Sequence, residues 1–137
     1  MIRYTSFLDG VTPEQLRGFF AGWANPPSPE THLRLLQNSD EMVLALDEDT
    51  GRVVGFVTAV TDHVLAAYIP LLEVLPEYQG RGIGSELMRR MLARLEDYYM
   101  VDLLCDAHLQ PFYARFGMRP VPGMALRRYH RQSGTSE

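Results

Sequence analysis

One cysteine, Cys105, in 137 residues leaves no internal disulfide and no cysteine-based zinc site, which agrees with a reducing compartment. The four histidines, His32, His63, His108 and His130, show no metal-ligand spacing, so no metal is expected. No apolar run approaches the ~18 residues that a membrane span needs. Nor does a basic stretch with an apolar core open the chain, because Ile2-Arg3-Tyr4-Thr5 leads quickly to Asp9-Gly10. The expectation is therefore a cytoplasmic protein with no membrane partner. Cationic charge is also short: the formal net charge of −4 speaks against a nucleic-acid partner and leaves room for a cationic amine. Internal repeats and low-complexity segments are absent. The length suits one domain, expected over residues 1–129, with a polar, disordered tail over 130–137.

What the sequence does have is a concentration of glycine after an apolar strand. Leu71-Leu72-Glu73-Val74-Leu75 meets Pro76, and Gln79-Gly80-Arg81-Gly82-Ile83-Gly84-Ser85 then leads into a helix with Ile83, Leu87, Met88, Met91, Leu92 and Leu95 on its apolar face. Glycines so close together leave backbone without Cβ cover. A helix starting there adds unpaired N–H groups and the positive end of its dipole, so the stretch predicts a diphosphate cradle. The spacing is not the G-x-G-x-x-G of a dinucleotide fold, and no Gly-Lys-Ser/Thr ending makes a nucleotide-hydrolysing loop.

The rest of the chain reads as alternating short elements. Met1 to Phe7 suits a first strand. Thr12-Pro13-Glu14-Gln15 suits a helix start with a capping box, followed by Leu16, Phe19, Phe20 and Trp23 at helical spacing. Asn25-Pro26-Pro27 ends that helix, and Ser28-Pro29-Glu30 begins another. Runs 41–47 and 52–61 form a hairpin around Glu48-Asp49-Thr50-Gly51, and 65–74 adds a third strand. After the helix over 82–99 come a strand over 101–105, a short helix over 109–116 capped by Gly117, and a last strand over 124–129.

Gln79-Gly80-Arg81-Gly82-Ile83-Gly84 resembles the coenzyme A loop of the GNAT N-acetyltransferase superfamily, Q/R-x-x-G-x-G/A, at each fixed position. Pro111-Phe112-Tyr113-Ala114-Arg115-Phe116-Gly117-Met118 resembles that family's F-Y-x-x-x-G-F segment, with Met118 where Phe is usual. The resemblance implies an α/β (α+β) GNAT fold, in which a mixed, mostly antiparallel sheet with splayed central strands is flanked by about four helices. It implies acetyl-CoA as cosubstrate, held by Gln79, Gly80, Arg81, Gly82, Ile83, Gly84 and Ser85 at the diphosphate and by the backbone of Leu72 and Val74 along the pantetheine arm. It also implies a small-molecule or peptide amine as acceptor, Tyr113 as the acid that protonates the departing thiolate, and a homodimer. An Asn common seven residues before that tyrosine is Asp106 here.

The base is less legible. Where some family members carry glutamate, this chain has Tyr68, a poor base because a phenol ordinarily titrates near pH 10. Glu73 is the nearest carboxylate, although strand alternation turns it from the face of Leu72 and Val74, and a structural salt bridge is its other reading. Asp102, Asp106 and a water chain are further candidates. Cys105 reads better as an inert buried thiol than as an acyl carrier. The acceptor pocket falls to residues 20–36 and the segment after Tyr113, with Trp23, His32 and Tyr129 as candidate lining. The alternative to an enzyme is a non-catalytic acyl-CoA-binding module of the same fold.

Overall fold

Residues 1–135 are described by a computed structural model. Turn chemistry and alternating burial build most of it. The elements run β1 (Ile2–Thr5), α1 (Pro29–Asn38), β2 (Glu41–Asp47), β3 (Arg52–Thr61), β4 (Ala66–Val74), α2 (Ile83–Arg94), β5 (Met100–Asp102) and α3 (Gln110–Ala114). In the β2–β3 turn the Asp47 carboxylate accepts the Asp49 N–H at 2.9 Å, and Gly51 takes the φ of +74° that closes it. Between β3 and β4, the Asp62 carboxylate accepts the N–H groups of Val64, Leu65 and Ala66 at 2.8–3.0 Å, and these bonds hold its pKa down to about 2.

The five strands lie in the order β1-β2-β3-β4-β5, antiparallel except for the parallel β4–β5 pair. One face carries α2, whose Ile83, Leu87, Met88 and Met91 are buried against it. Gly55 permits that approach, since a Cβ there would stand 3.0 Å from Leu87 and 3.3 Å from Ile83. The other face carries α1 and the segment before it, where Phe19, Phe20, His32 and Phe56 interlock with ring centroids 4.4–6.0 Å apart.

Four sequence expectations need correction. The helix over Thr12 to Trp23 is only a 3₁₀ turn, Pro13–Leu16, although the Gln15 side chain does bond the Thr12 N–H at 2.8 Å. Gly18, Phe20 and Gly22 take φ of +96°, +65° and +84°, so the chain leaves the helical path while keeping Leu16, Phe19 and Phe20 in the core. The last strand over 124–129 does not form, and β5 ends at Asp102, so among the described residues three α-helices and five strands stand where about four helices and six strands were expected. The segment expected as a disordered tail is ordered through Thr135: Asn25 N–H donates to Gln132 at 2.9 Å, and Arg34 donates to the Gly134 carbonyl at 3.1 Å. Residues 136 and 137 of that expectation lie outside the described residues. His32, a candidate for the acceptor pocket, is instead 1% exposed inside the aromatic cluster.

Candidate active site

Strands β4 and β5 pair only through Ala66–Met100, Ala67–Val101 and Tyr68–Asp102. Beyond Tyr68 the β3–β4 register shifts, so that Ile69 and Pro70 oppose the single residue Ala59, and a bulge there bends β4. Pro70 has no N–H to offer a ladder, which suits this break. The two strands then diverge around a cleft of about 750 Å³, bordered by Leu71 to Val74 on one side and Leu103 to Asp106 on the other. Leu75 N–H donates back to Val54 at 2.8 Å, so by alternation the N–H groups of Leu72 and Val74 point away from β3 and into the opening.

At the end of this edge Gln79 donates to the Val74 carbonyl at 3.0 Å and anchors the glycine loop to β4. Gly80 and Gly82 take φ of +79° and +82°, and a Cβ on either would meet nothing within 4 Å. Their requirement is conformational, and the space above them is open. Gly82 caps α2 without a side chain, and the N–H groups of Ile83, Gly84 and Ser85 find no acceptor among the described residues. At Gly84 a Cβ would make only ordinary contact, 3.7 Å from Phe112 and 3.8 Å from Val74, so this position lies against those two side chains without requiring glycine. Ile83 is buried, so only its backbone faces the loop. Arg81 bonds the Glu77 carbonyl at 3.1 Å and stacks over Tyr78 at 4.9 Å.

Ser85 Oγ accepts a bond from Arg115 at 3.0 Å, while the Arg115 guanidinium lies 5.0 Å from the Phe112 ring centre. Arg115 thus brings a fixed cation to the positive end of α2, a feature that the motifs alone did not disclose. Its signal was available, two residues after Tyr113 in the same short segment. Tyr113 is half-buried and borders the cleft, with its ring 4.9 Å from Phe112 and its hydroxyl bonded to no described residue. Burial raises its pKa, and the neighbouring Cys105 thiol pushes it the same way.

Glu73 lies on the opposite face of β4 from Leu72 and Val74, as alternation requires, and joins no ion pair among the described residues. Both carboxylate oxygens accept the Phe20 N–H at 2.9 Å. Desolvation raises its pKa, and bonds from the N–H groups of Phe20 and Ala21 oppose that rise. The carboxylate thereby fixes the left-handed turn at Phe20 and sets Ala21 and Trp23 in the cleft wall. The expected helix concealed this loop. Asp106 and Cys105 border the same cleft, Tyr68 is held in the sheet between Val60 and Asp102, and no group of three or more metal-ligating side chains occurs among the described residues.

Comparison with known proteins bears on the family and the fold. The family model described as acetyltransferase (GNAT) family matches residues 8–118. A solved structure of a candidate acetyltransferase from Deinococcus radiodurans R1 is 52% identical, with 99% of this chain and 94% of that one covered and a TM-score of 0.95. A GNAT-family acetyltransferase structure from Streptococcus pneumoniae TIGR4 is 31% identical, covering 93% and 97% of the two chains with a TM-score of 0.71. The chloroplastic GCN5-related N-acetyltransferase 3 of Arabidopsis thaliana is 34% identical over 91 residues, 59% of this chain. This chain spans only 38% of that relative and 28% of the chloroplastic GCN5-related N-acetyltransferase 2.

Proposed function

Because the chain belongs to the acetyltransferase (GNAT) family, we propose that it moves an acetyl group from acetyl-CoA to a primary amine of a small molecule or peptide, directly, with both substrates bound. One juxtaposition carries the reading: the unpaired edge of β4, the uncovered glycine loop at the start of α2, and Tyr113 all border or adjoin one cleft. Open space above Gly80 and Gly82, the unpaired first-turn N–H groups of α2 and the Arg115 cation suit a diphosphate. The N–H groups of Leu72 and Val74 suit an amide-bearing arm lying along β4 like an added strand. Acetyl-CoA, when bound, supplies the acetyl group and a thiol leaving group.

This chain's residues then have separable tasks. The Leu72 N–H takes the thioester oxygen and polarises the carbonyl. As the nitrogen–carbonyl bond forms and the carbon–sulfur bond breaks, Tyr113, whose raised pKa keeps it protonated at neutral pH, gives its proton to the departing sulfur, and the second proton that the nitrogen sheds on becoming an amide restores the phenol. Glu73, in the wall shared with Ala21 and Trp23, receives the proton that the ammonium of the acceptor must lose, directly or through water. Its raised pKa suits a base better than an ordinary surface carboxylate would. A reducing, cytoplasmic setting accords with the single free cysteine.

Thiol release on adding acetyl-CoA and a panel of amines tests the proposal. All 13 basic side chains are arginine, so lysine self-acetylation cannot contribute background. Amine-dependent thiol release is expected. Tight coenzyme binding without turnover on any amine would instead favour a non-catalytic acyl-CoA-binding module.

A further inference from the structure

Tyr113 rides on α3, a helix of five residues, and the ties between that helix and the rest of the fold are few. Phe112, Tyr113 and Phe116 pack on the edge of the core. Beyond that apolar contact, the one hydrogen bond from residues 110–117 to any described residue outside 106–117 runs from Arg115 Nη2 to Ser85 Oγ at 3.0 Å. Arg115 joins no ion pair among the described residues. That bond and the Phe112 ring, which lies 3.7 Å from where a Cβ on Gly84 would stand, both meet the first turn of α2. The turn whose free N–H groups suit an anion is thus the turn that carries the helix of Tyr113.

Arg115 spans the two. Its guanidinium lies 5.0 Å from the Phe112 ring centre and 5.9 Å from that of Phe116, the aromatic rings that bracket Tyr113 in the chain. Phe112 in turn meets the Tyr113 ring edge-on at 4.9 Å. Arg115 is exposed, its Nε reaches only the Phe112 carbonyl at 3.5 Å, and its remaining N–H groups find no acceptor among the described residues. The Ser85 hydroxyl is a neutral partner for this cation. Phosphate oxygens would give charge-assisted bonds roughly twice as strong, and the planar fork can take two of them at once.

We propose, on the reading of this cleft as an acetyl-CoA site, that Arg115 is a positioning residue coupling the diphosphate of the coenzyme to the placement of Tyr113. With an anion on the first turn of α2, Arg115 bridges it to the rings of Phe112 and Phe116 and fixes α3, so that the Tyr113 hydroxyl stays within reach of the sulfur. The diphosphate takes no part in the chemistry. Its binding energy is used to orient the acid, so a donor that lacks it should lose kcat as well as affinity.

Hydrogen exchange reads this coupling without turnover. Adenosine diphosphate carries the diphosphate but no pantetheine arm, and at saturation it should slow exchange of the amides of 83–85 and of 112–117 in wild type. In Arg115→Ala the first protection should remain and the second should vanish. Arg115 is exposed, so the variant should keep the wild-type far-UV spectrum. Thiol release gives the second measurement: in wild type S-acetylpantetheine should turn over with kcat at least about tenfold below acetyl-CoA, and added adenosine diphosphate should recover part of that loss. In Arg115→Ala the two donors should have similar kcat and the nucleotide should not activate. Protection of neither segment in wild type would overturn the coenzyme site and the coupling with it. Protection of 83–85 alone would overturn the coupling and leave the site standing, and so would a variant whose kcat falls by the same factor with both donors.

Discussion

Residues 1–95 and residues 96–135 are built differently. Among the described residues every buried hydrophobic side chain lies between Leu16 and Leu95, and none follows. The earlier part holds four of the five strands, both longer helices and the aromatic cluster. The later part holds a three-residue strand, a five-residue helix and an exposed arm. The cleft has one wall from each. Residues 71–74 are fixed by β3 beneath them, while Tyr113 is positioned mainly by packing through Phe112 onto Gly84 and by the Arg115–Ser85 bond. A rigid platform thus faces a lightly held wall that carries the proposed acid, and local opening should concentrate there.

The sharpest way to break this comparison is Tyr113→Phe. If Tyr113 protonates the leaving sulfur, kcat should fall by roughly 10²–10⁴-fold with the coenzyme dissociation constant little changed. Thermal stability should hardly move, because the hydroxyl bonds no described residue. Near-full turnover would remove Tyr113 from the chemistry, and unfolding would make it structural. Next in size is Leu87→Ala, in the fully buried face of α2, which should cost about 2–5 kcal/mol by denaturant unfolding. Leu104→Ala, at a leucine 44% exposed, should cost under about 1 kcal/mol. Equal losses would erase the distinction between platform and wall.

The third prediction concerns the platform alone. His32 is buried with both ring nitrogens unpartnered, and desolvation lowers its pKa from 6.5 to about 4. The unfolded chain therefore takes up the proton first as pH falls. The stability contribution is complete above the unfolded value and is lost between 6.5 and about 4, in total roughly 3 kcal/mol. His32→Phe, set among Phe19, Phe20 and Phe56, should flatten that acid limb in melts between pH 7 and 4 while leaving stability at pH 7 no lower.

These contrasts also explain what was legible in the sequence. Strands β2 and β3 match their expected ends because alternation and turn residues are local signals, and the glycine loop and Tyr113 fell to motifs. The 12–23 helix failed because Leu16, Phe19 and Phe20 serve one face under either path, and hydrophobic period cannot see the left-handed turns at Gly18, Phe20 and Gly22. The strand over 124–129 failed for a different reason, since a strand needs a partner, and none is present for it in the single chain. The partner of Glu73 was hidden by the same misread helix, because a carboxylate bonding backbone N–H groups leaves no complementary charge to find.

Smaller effects separate the loop's backbone from its side chains. Gly82→Ala meets no neighbour but forces a Cβ into φ +82°, so it should cost about 1–2 kcal/mol in strain, read as weaker coenzyme binding or lower stability.

Arg81→Ala is the smallest case. The guanidinium is exposed, bonds one carbonyl at 3.1 Å and lies over Tyr78, and it joins no ion pair among the described residues. An exposed cation–π contact is worth about 0.5–1 kcal/mol. A charge beside a diphosphate in open solvent adds a similar amount that salt screens. Coenzyme affinity by calorimetry should therefore fall only about threefold to fivefold at low salt, and the difference from wild type should shrink as salt is raised. The backbone N–H groups of residues 83–85 and the Arg115 cation, held by Ser85 and stacked on Phe112, remain in place in this variant and keep most of the affinity. A loss beyond about a hundredfold that persists at high salt would mean that Arg81 swings off Tyr78 to hold the diphosphate itself, and would move the anchor of the site from the loop's backbone to one side chain.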